Sequence, residues 1–513
     1  MQSPRDFDDV VIVGGGPSGL AAAAELAYHG RRSIVIEPRA AVNDARPRAK
    51  TTSARTMEHF RRWGIADDVR AAAALPATWC DRAVFCDTVT GSVITEFSDI
   101  FGLNAAEQGI AAESGQQIGQ PAVERVLRAH LRASGLVDLR LGETVEDIVE
   151  QADHVDVAVR SEDGTVYALS SRFVLGCDGA RSLVRERIGG ALEGASAPHP
   201  NLNVVFRASP LRPPMGEALH YWVLGVEPRG VVGPLDREGL WWASLGGSGG
   251  ETGAGEVARL VRGLLGEAAS DVPIEILSMD PWTPRMLLST RYATDRIFLV
   301  GESAHVNPPL GGHGFNTSVG DAVNVGWKLA AVLEGWADPS LLASYEAERR
   351  AVAASTIASA ARNLAATGPD LPLDAAAIQS AKLEEFHSLG LVLGYSYDGS
   401  ETVDVVRYRP SMRVGARLPH RWLEPGHSLY DDLGPWATLI HPSSAARADL
   451  DRAVERFAAA GVPLTVLQDD IRSPDDGESH YLLIRPDQHI AWSGDDPDHA
   501  DPALLTSSTK RAS

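Results

Sequence analysis

The first forty residues contain an apolar run, an alanine-rich segment and a second apolar run. Residues 9–13 (DVVIV) are continuous and mostly β-branched, which is typical of a buried strand in a parallel sheet. Residues 20–28 are alanine-rich and compatible with a helix, which Gly30 can end. Residues 33–37 (SIVIE) repeat the first pattern. The chain is therefore predicted to begin with a strand–turn–helix–strand unit.

The turn of this unit carries the spacing G-x-G-x-x-G at Gly14, Gly16 and Gly19. Such glycines permit a tight turn and let a pyrophosphate approach the helix N-terminus, whose amides and dipole favour anions. Glu37 follows the first glycine by 23 residues, at a point where an acid can accept hydrogen bonds from a ribose. The pattern predicts dinucleotide binding but does not distinguish FAD from NAD. The predicted binding residues are Gly14, Gly16, Pro17, Ser18, Gly19 and Glu37.

Two later segments each show a strand that runs into a glycine turn. Residues 173–182 read FVLGCDGARS, and residues 296–305 read RIFLVGESAH. The second segment continues into PPLGGHGFN, where prolines stiffen the loop and three glycines precede a predicted helix start. A glycine-rich backbone of this kind can lie against a flat ring and present amides to its polar edge. Both segments favour FAD over NAD as the dinucleotide.

A second group of predicted strands is rich in aromatic residues. Residues 219–224 (LHYWVL) and 239–244 (GLWWAS) fit the strand pattern, and an aromatic-lined sheet suits a planar ligand. The alternative is that these side chains pack in the core of a sheet. Asn203 and Arg207 are weaker candidates on a neighbouring strand. Residues 246–256 (GGSGGETGAGE) follow neither period and are predicted to form a mobile loop.

The C-terminal part of the chain is predicted to form a separate α/β module. Residues 366–405 contain prolines and glycines and are predicted to be a connection with one helix. Beyond it, strand patterns occupy residues 436–440, 463–467, 481–485 and 489–492, and a helix is predicted at 447–459. The module has no cysteine, which excludes dithiol exchange and favours a structural or oligomerisation role. The polar tail after Asp495 is predicted to be disordered.

Composition narrows the function classes. The chain has 513 residues and a mass of 54.7 kDa, which suggests about three domains. Lys+Arg 47 against Asp+Glu 68 gives a net charge of 47 − 68 = −21, which argues against a nucleic-acid-binding surface. The three cysteines form no C-x-x-C pair, which argues against a zinc ribbon or a dithiol redox centre. No signal peptide or membrane-length apolar stretch is visible, so a cytoplasmic protein without nucleic-acid or membrane partners is expected.

The three glycine motifs, in this order, resemble those of the class A, single-component FAD-dependent aromatic hydroxylases, which have the p-hydroxybenzoate hydroxylase fold. The phenol and 2,4-dichlorophenol hydroxylase branch is the most similar. The resemblance covers residues 8–360 and extends to a thioredoxin-like C-terminal domain. It implies that the first motif holds the ADP half of FAD, and that Asp178 and Gly179 serve both FAD and the reduced nicotinamide. The third segment is implied to contact the ribityl chain and the isoalloxazine ring.

The resemblance carries individual residues over to this chain. The implied cofactor-binding residues are Arg48, Gln120, Asp178, Gly179, Gly301, Glu302, Pro309, Gly312, Gly314, Phe315 and Asn316. Arg48 is otherwise a surface arginine, and Gln120 is otherwise a helix-start residue. Glu302 departs from the family, which usually has Asp here, so its longer carboxylate must retreat or the loop must shift. Asp321 resembles the family's acid near the flavin and is otherwise a charge at a helix N-terminus.

The implied reaction is hydroxylation of an electron-rich phenolic or polycyclic ring. In the family, NAD(P)H reduces FAD, oxygen adds at flavin C4a, and the hydroperoxide hydroxylates the ring. Phenols react faster as phenolates, so a base or a hydrogen-bond relay is useful. Lys50 is either a phenolate-stabilising group or a solvated loop charge, and His313 is either a ligand contact or a structural residue. The predicted substrate-binding residues are His220, Trp222, Trp242 and Pro308.

The expected fold class is α/β with interleaved domains. The FAD-binding Rossmann-like domain takes residues 1–75, 105–185 and 290–365, the mixed β-sheet substrate domain takes 76–104 and 186–289, the helical connection takes 366–405, and the thioredoxin-like domain takes 406–513. A homodimer is compatible with this organisation. A Baeyer–Villiger or epoxidising monooxygenase remains an alternative because fold does not fix function. An FAD-binding protein without oxygenase activity is the alternative from another class.

Overall fold

The computed structural model describes residues 8–44, 50–250, 253–367, 371–399, 404–474 and 477–507. The strands are β1 (Asp8–Val13), β2 (Ser33–Glu37), β3 (Thr51–Thr52), β4 (Ala83–Cys86), β5 (Val93–Phe97), β6 (Gln116–Gln117), β7 (Val137–Leu141), β8 (Thr144–Glu150), β9 (Val155–Arg160), β10 (Val166–Gly176), β11 (Leu192–Ser196), β12 (Asn201–Ala208), β13 (His220–Val223), β14 (Gly230–Pro234), β15 (Leu240–Leu245), β16 (Ile274–Trp282), β17 (Arg285–Ser289), β18 (Ile297–Leu299), β19 (His305–Val306), β20 (Trp422–Glu424), β21 (His427–Ser428), β22 (Ala437–His441), β23 (Leu464–Gln468), β24 (Tyr481–Ile484) and β25 (Ile490–Gly494). The helices are α1 (Pro17–Tyr28), α2 (Ala54–Arg62), α3 (Ala66–Ala72), α4 (Gln120–Ser134), α5 (Leu183–Arg187), α6 (Ala254–Leu265), α7 (His313–Glu334), α8 (Ser344–Ala365), α9 (Ala375–Phe386), α10 (Leu389–Leu393), α11 (Arg447–Ala459) and α12 (Ala503–Thr506).

The first sheet has the strand order β7-β2-β1-β10-β9-β8, and β18 pairs with β10. Strands β7, β2, β1, β10 and β18 are parallel to one another, whereas β9 and β8 add antiparallel partners. The predicted opening unit is confirmed as β1, α1 and β2. Helix α1 packs against α7 and α4. Its residues Ala21 to Ala24 are fully buried, and their small side chains let the helices approach closely. The strands that carry the three glycine motifs therefore lie side by side, and the motifs follow their C-terminal ends.

The second sheet has the order β16-β12-β15-β14-β13-β4-β5 and is antiparallel except for the pair β13–β4. Its two aromatic strands, β13 and β15, confirm the strands predicted at 219–224 and 239–244. Helix α6 covers one face with Val257, Val261 and Leu264, which are buried in a common core. The predicted loop 246–256 is wrong at its end, because α6 begins at Ala254.

The connection after α8 contains two helices, α9 and α10, where the sequence predicted one. Helix α9 begins at the N-cap Asp374, whose side chain accepts a hydrogen bond from the backbone N–H of Ala377. It packs against α8 and the edge strand β5, and Phe386 at its end contacts the rings of Phe97 and Trp222. The connection therefore covers one end of the aromatic sheet.

The C-terminal module consists of a sheet in the order β23-β22-β24-β25, with α11 leading from β22 into the parallel strand β23. Helix α11 has the bounds predicted from the sequence. The prediction of disorder after Asp495 is wrong for residues 496–507, which include a 3-10 turn at Pro497–His499 and helix α12. Leu505 is fully buried, and the backbone N–H of Asp338 donates to the Thr506 carbonyl at 2.9 Å. Within the described residues, none of the helices combines the length and the apolar character needed to cross a membrane.

Candidate active site

The three glycines of the first motif are required for different structural reasons. Gly14 has φ +103°, and a Cβ there would lie 2.4 Å from the carbonyl oxygen of Cys177, so the turn touches β10 closely. A Cβ at Gly19 would lie 1.9 Å from the Gly14 carbonyl oxygen, which requires a residue without a side chain for helix–strand packing. At Gly16, by contrast, the nearest atom to such a Cβ is Nη2 of Arg39 at 4.0 Å. The backbone at Gly16 therefore faces open space at the N-terminus of α1.

Glu37 lies at the end of β2 beside this turn. Its Oε2 accepts a hydrogen bond from the backbone N–H of Gly15 at 2.7 Å. Its Oε1 accepts from Arg39, through the backbone N–H at 3.0 Å and Nε at 2.6 Å. The carboxylate is thereby held at the edge of the glycine turn, where such an acid can accept hydrogen bonds from a ribose. Arg39 was missed in the sequence because a lone arginine after a strand has no pattern.

The second and third motifs face each other across the same opening. Asp178 accepts hydrogen bonds from Oγ of Ser182 at 2.5 Å and from the backbone N–H of Val184 at 3.1 Å, and burial raises its pKa. Gly301 has φ +68°, and a Cβ there would lie 2.4 Å from Oγ of Ser18, so the third motif packs directly on the first. Glu302, next in the chain, is exposed. Oε2 of Glu302 would lie 4.0 Å from a Cβ at Gly179, so the second and third motifs approach each other here.

Asp321 anchors the third motif from behind. Its Oδ2 accepts from the Gly301 backbone N–H at 3.1 Å and contacts Nε2 of His305 at 2.7 Å, while Oδ1 accepts from Nε of Arg349 at 2.7 Å. Burial alone would raise the pKa of this carboxyl, but the Arg349 guanidinium and His305 outweigh burial and lower it. Asp321 is fully buried and acts as a support for the loop, not as a residue of the opening.

Asn316 also holds the loop in place. Its Oδ1 accepts from the backbone N–H of Ser53 and from Oγ1 of Thr56, both at 2.8 Å. Its Nδ2 donates to the carbonyl oxygens of Thr51 at 3.0 Å and Gly312 at 2.6 Å. The amide therefore ties the start of α7 to α2. Its hydrogen-bonding capacity is directed to the protein, which leaves the predicted cofactor contact without support from the geometry.

One cavity of about 1420 Å³ joins the glycine motifs to the aromatic sheet. Its volume exceeds the roughly 300–1,000 Å³ of a typical small-ligand pocket, which leaves room for a dinucleotide and a second ligand. The predicted site residues that line it are Gly14, Gly16, Pro17, Ser18, Glu37, Lys50, Gln120, Asp178, Gly179, His220, Trp222, Trp242, Glu302, Pro309, Gly312, Gly314 and Phe315. The structure thus brings together residues that are up to 300 positions apart in the chain.

Five predicted residues do not line the cavity, namely Gly19, Gly301, Pro308, His313 and Asn316. Gly19 and Gly301 serve packing, and Pro308 is buried. His313 is buried behind Gly311, where a Cβ would lie 2.4 Å from its Nε2, and burial lowers its pKa to about 4. The geometry therefore places His313 outside the cavity lining, with Nε2 buried and without a hydrogen-bond partner among the described residues. Arg48 lies outside the described residues.

The aromatic wall of the cavity consists of His220, Trp222, Trp242 and Phe101. His220 makes edge contacts with Trp242 and with Phe101, with ring centroids 5.5 Å apart in both pairs. Nδ1 of His220 and the indole Nε1 atoms of Trp222 and Trp242 are buried without a hydrogen-bond partner among the described residues. Other buried indoles, such as those of Trp241 and Trp336, are also unpaired, but these three wall residues line the cavity, where a ligand can pair with their nitrogen atoms.

Lys50 lies beside this wall. Its Nζ donates to the carbonyl oxygens of Leu219 at 3.1 Å and Pro234 at 3.2 Å, and lies 5.4 Å from the ring centroid of Trp242. Burial of the amine lowers its pKa to about 7. The hydrogen bonds of Nζ to two backbone carbonyls disfavour the alternative of a solvated loop charge.

Other lining residues were missed in the sequence, and Asn203 was considered only weakly. Asn203 lines the cavity and accepts from Nε1 of Trp282 at 2.8 Å, whereas Arg207 points outward near Glu275. Asn307 and Asp280 line the cavity from the third motif and from β16. Glu385 lines it from α9. Strand alternation on β16 was the one local signal that could have identified Asp280 as facing inward.

The first motif, the N-terminus of α1 and Glu37 form a glycine cradle, and these residues fit the pyrophosphate and ribose of FAD. The fit rests on the open backbone at Gly16, the N-terminus of α1 and the fixed carboxylate of Glu37. The Gly311–Gly312 bend, with φ +86° and +70°, carries no side chain that would prevent a flat ring from approaching. A dinucleotide cradle that opens into an aromatic-walled cavity defines a flavoprotein that holds an aromatic ligand at its flavin.

Comparison with known proteins agrees with this class. Residues 8–360 match the FAD binding domain family, and residues 411–512 match the aromatic-ring hydroxylase C-terminal family. Aklavinone 12-hydroxylase DnrF of Streptomyces peucetius is 32% identical over 468 residues, which cover 85% of this chain and 92% of that protein. The 4-methyl-5-nitrocatechol 5-monooxygenase of a Burkholderia species is 31% identical over 99% of this chain and 98% of its own. The crystal structure of the flavin-dependent monooxygenase PieE with FAD and substrate has a TM-score of 0.86, with 28% identity and 98% of both chains covered.

The chain belongs to the family of FAD-dependent aromatic-ring hydroxylases. It is an FAD-dependent monooxygenase of the p-hydroxybenzoate hydroxylase fold, and the predicted cofactor and fold class are confirmed.

Proposed function

We propose that this enzyme uses NAD(P)H and O₂ to hydroxylate a phenolic or polycyclic aromatic compound bound against the aromatic wall. The observation that carries this proposal is the single cavity that continues from the glycine cradle to His220, Trp222 and Trp242. A planar substrate there can stack on the wall and pair with the unpaired nitrogen atoms of His220, Trp222 and Trp242. The two predictions of a cradle and an aromatic wall then describe two halves of one active site.

FAD, when bound, supplies the redox chemistry by which electrons from NAD(P)H activate oxygen. The chain's own residues position the cofactor and the substrate, exclude water and transfer protons. The Gly16 backbone and Glu37 hold the cofactor's ADP half, and the Gly311–Gly312 bend presents an unobstructed backbone to its ring. Seventeen of the predicted residues line one cavity, which supports this division of roles.

Lys50 is the residue that handles the substrate proton in this proposal. With a pKa lowered to about 7 by burial, its amine is substantially neutral near neutral pH. A neutral amine can accept the proton of a phenolic hydroxyl at Nζ. The product of this transfer is a phenolate beside an ammonium, so the ion pair offsets the burial of both charges. A phenolate is the more reactive form of the ring, so Lys50 promotes the reaction by taking up the substrate proton.

The test is substrate-dependent NAD(P)H oxidation by the FAD-loaded enzyme, with the products identified. A panel of phenols, naphthols and hydroxyanthraquinones should include compounds that stimulate NAD(P)H consumption and gain one oxygen atom on an aromatic carbon. Lactone or epoxide products would instead support the Baeyer–Villiger or epoxidising alternative. Binding of these compounds without any oxygenated product would support an FAD-binding protein without oxygenase activity.

For the C-terminal module we propose a thioredoxin-like arrangement with a structural role. The mixed sheet β23-β22-β24-β25 with α11 after β22 supports this arrangement, and the module contains no cysteine that could exchange disulfides. We further propose a cytoplasmic location and, through this module, a homodimer. Size-exclusion chromatography with light scattering tests the dimer, and a monomeric mass would contradict it.

A further inference from the structure

A buried lysine–glutamate pair borders the cavity outside the cofactor machinery. Lys382 and Glu385 lie one turn apart on α9, and Nζ of Lys382 donates to Oε2 of Glu385 at 2.7 Å. The side chain of Lys382 is fully buried and that of Glu385 is 4% exposed. Nζ of Lys382 also lies 4.3 Å from the ring centroid of Trp222. Two charged groups therefore lie in the interior next to the aromatic wall. Their burial costs desolvation free energy, which their mutual contact offsets only in part, so the pair is a candidate for a functional role.

Only one of the two charged groups faces the cavity. Glu385 is a lining residue, whereas Lys382 lies behind it, between Glu385 and the carbonyl oxygen of Asn363. Oε2 of Glu385 is taken by Lys382, while Oε1 has no hydrogen-bond partner among the described residues. Nε1 of Trp222, on the same wall, is also buried and has no hydrogen-bond partner among the described residues. An acceptor and a donor are therefore both available to a ligand in this part of the cavity.

We propose that Glu385 is a specificity-determining residue, which accepts a hydrogen bond from a hydroxyl group on the substrate ring remote from the ring that reacts. The proposal rests on the function proposed above and deepens it, because it requires a substrate with at least two fused rings and a hydroxyl on the remote one. Trp222 supplies the complementary donor to an oxygen atom at the same position.

The chemistry of the pair suits this task. Burial raises the pKa of Glu385 and lowers that of Lys382, and their mutual contact opposes both shifts. Lys382 therefore stabilises the ionised form of Glu385, which can accept but not donate. A substrate that lacks the remote hydroxyl would leave Oε1 desolvated and unpaired. Sites built to hydrogen-bond a hydroxyl reject such analogues much more strongly than apolar pockets reject a missing methylene.

Within the described chain, the pair makes no polar contact with the glycine motifs. Helix α9 packs mainly on α8 and β5, and it shares a hydrophobic cluster with Leu310 of the third segment through Ile378 and Phe386. Glu385 itself has no hydrogen bond or ion pair to the glycine motifs among the described residues. A change at Glu385 should therefore alter the choice of substrate and leave FAD binding unchanged. This separation allows the test to distinguish a failed specificity role from a failed enzyme.

The experiment uses the FAD-loaded enzyme and two probes that differ by one remote hydroxyl, 2-hydroxyanthraquinone and 2,6-dihydroxyanthraquinone. The variants are Glu385→Gln, and the double variant Lys382→Met with Glu385→Leu, which removes both charges and so avoids a lone buried ion. Dissociation constants are measured from the perturbation of the flavin absorption spectrum, and product formation is measured separately. Gln379→Ala is the matched control on α9, since Gln379 bonds Thr95 and the Glu96 carbonyl and does not line the cavity.

The wild-type enzyme and Gln379→Ala should prefer the dihydroxy probe. In the double variant this preference should fall by about 10- to 100-fold, the value of a hydrogen bond to a charged group, while FAD content stays unchanged and the affinity for the monohydroxy probe does not fall, since no unpaired carboxylate oxygen is left beside it. Glu385→Gln should show a smaller loss. An unchanged preference in the double variant, or equal binding of both probes by the wild type, would overturn the proposal. The absence of oxygenated product from any aromatic compound would instead refute the proposed function.

Discussion

Two regions of this enzyme bury many polar side chains, and they differ in whether the charged groups are paired within the protein and whether the residues line the cavity. Where α2 meets the C-terminal module, the buried carboxylate of Glu58 accepts hydrogen bonds from Arg55 at 2.9 Å and from Nε of Arg417 at 3.1 Å. Along the cavity wall, by contrast, His220, Trp222 and Trp242 each have a buried nitrogen atom without a partner among the described residues.

The difference distinguishes buried polar groups that stabilise the interface from buried polar groups that are available to a ligand. In the first region, the buried charges of one part are matched by those of another, so the module docks in one register. Glu348 continues the same pattern, since it accepts from both terminal nitrogens of Arg485 at 2.9 Å and from Nζ of Lys328 at 2.7 Å. In the second region the unpaired nitrogen atoms belong to residues that line a cavity, where a ligand can supply the partner, whereas the unpaired atoms of the first region, such as Nε of Arg55 and Nε2 of His489, belong to residues that do not line it. The comparison leads to four predictions, in which stability should respond to the first region and binding to the second.

The largest expected effect follows Glu58→Gln, which leaves the buried guanidinium groups of Arg55 and Arg417 without an anion. Breaking a buried ion pair on one side costs about 3–5 kcal/mol of unfolding free energy. Urea unfolding should therefore show a marked loss of stability. As a control, Asp451→Asn removes an exposed helical pair with Arg447 and should have no measurable effect. Equal stability of Glu58→Gln and the control would contradict the structural role of this interface.

The second prediction concerns Lys50→Met. Because the neutral amine accepts the substrate proton, kcat/KM for a phenolic substrate should rise as the pH increases through about 7 in the wild type, where Lys50 loses its proton. At pH 8 the variant should be slower by about 100-fold, a typical contribution of a general base. The gap should narrow toward pH 10, near the ordinary pKa of a phenol, where the substrate ionises unaided.

Lys50→Arg is the matched control for this pH profile. A guanidinium keeps the positive charge but does not deprotonate in a protein, so this variant should also lack the rise near pH 7. A rise near pH 7 that persists in Lys50→Met would assign the titration to another group.

The third prediction tests the open backbone at Gly16. A Cβ at Gly16 would lie 4.0 Å from its nearest neighbour, Nη2 of Arg39, so in Gly16→Val the fold should survive while the space for the pyrophosphate is filled. FAD affinity should fall by about 10- to 100-fold, the range expected for overpacking a fitted site. Gly263→Val places the same side chain in open space on the exposed face of α6 and should retain FAD. Flavin content after dialysis, measured by absorbance, decides between these outcomes.

The sequence was informative wherever a local pattern carries the structure. The unit β1–α1–β2, the aromatic strands and helix α11 could be predicted because their hydrophobic periods and turn residues are local. It failed where tertiary packing decides which way a side chain points. His313 lies within the flavin loop in sequence but turns behind Gly311. Glu385 lies in a segment that was predicted to be a simple connection, and only the docking of α9 on β5 brings it to the cavity.

The smallest expected effect comes from making one substitution in both regions. Trp327 is fully buried, and its Nε1 donates to Oδ2 of Asp487 at 3.1 Å, whereas Nε1 of Trp222 has no protein partner within the described chain. Trp327→Phe and Trp222→Phe remove the same volume, so the cavity cost largely cancels in their comparison. The lost hydrogen bond should make Trp327→Phe less stable than Trp222→Phe by about 1–2 kcal/mol.

Substrate binding should respond in the reverse order. Trp222→Phe should weaken the binding of an oxygenated aromatic substrate by about fivefold, the value of a single neutral hydrogen bond, while Trp327→Phe should leave the dissociation constant unchanged. Chemical denaturation and flavin-absorbance titrations of the two variants give both numbers. Equal loss of stability in the two variants, with no loss of binding in Trp222→Phe, would mean that the unpaired nitrogen atoms of the wall are tolerated defects. If Trp327→Phe loses more stability and Trp222→Phe loses more substrate affinity, the indole group stabilises the fold at the interface and binds the substrate at the wall.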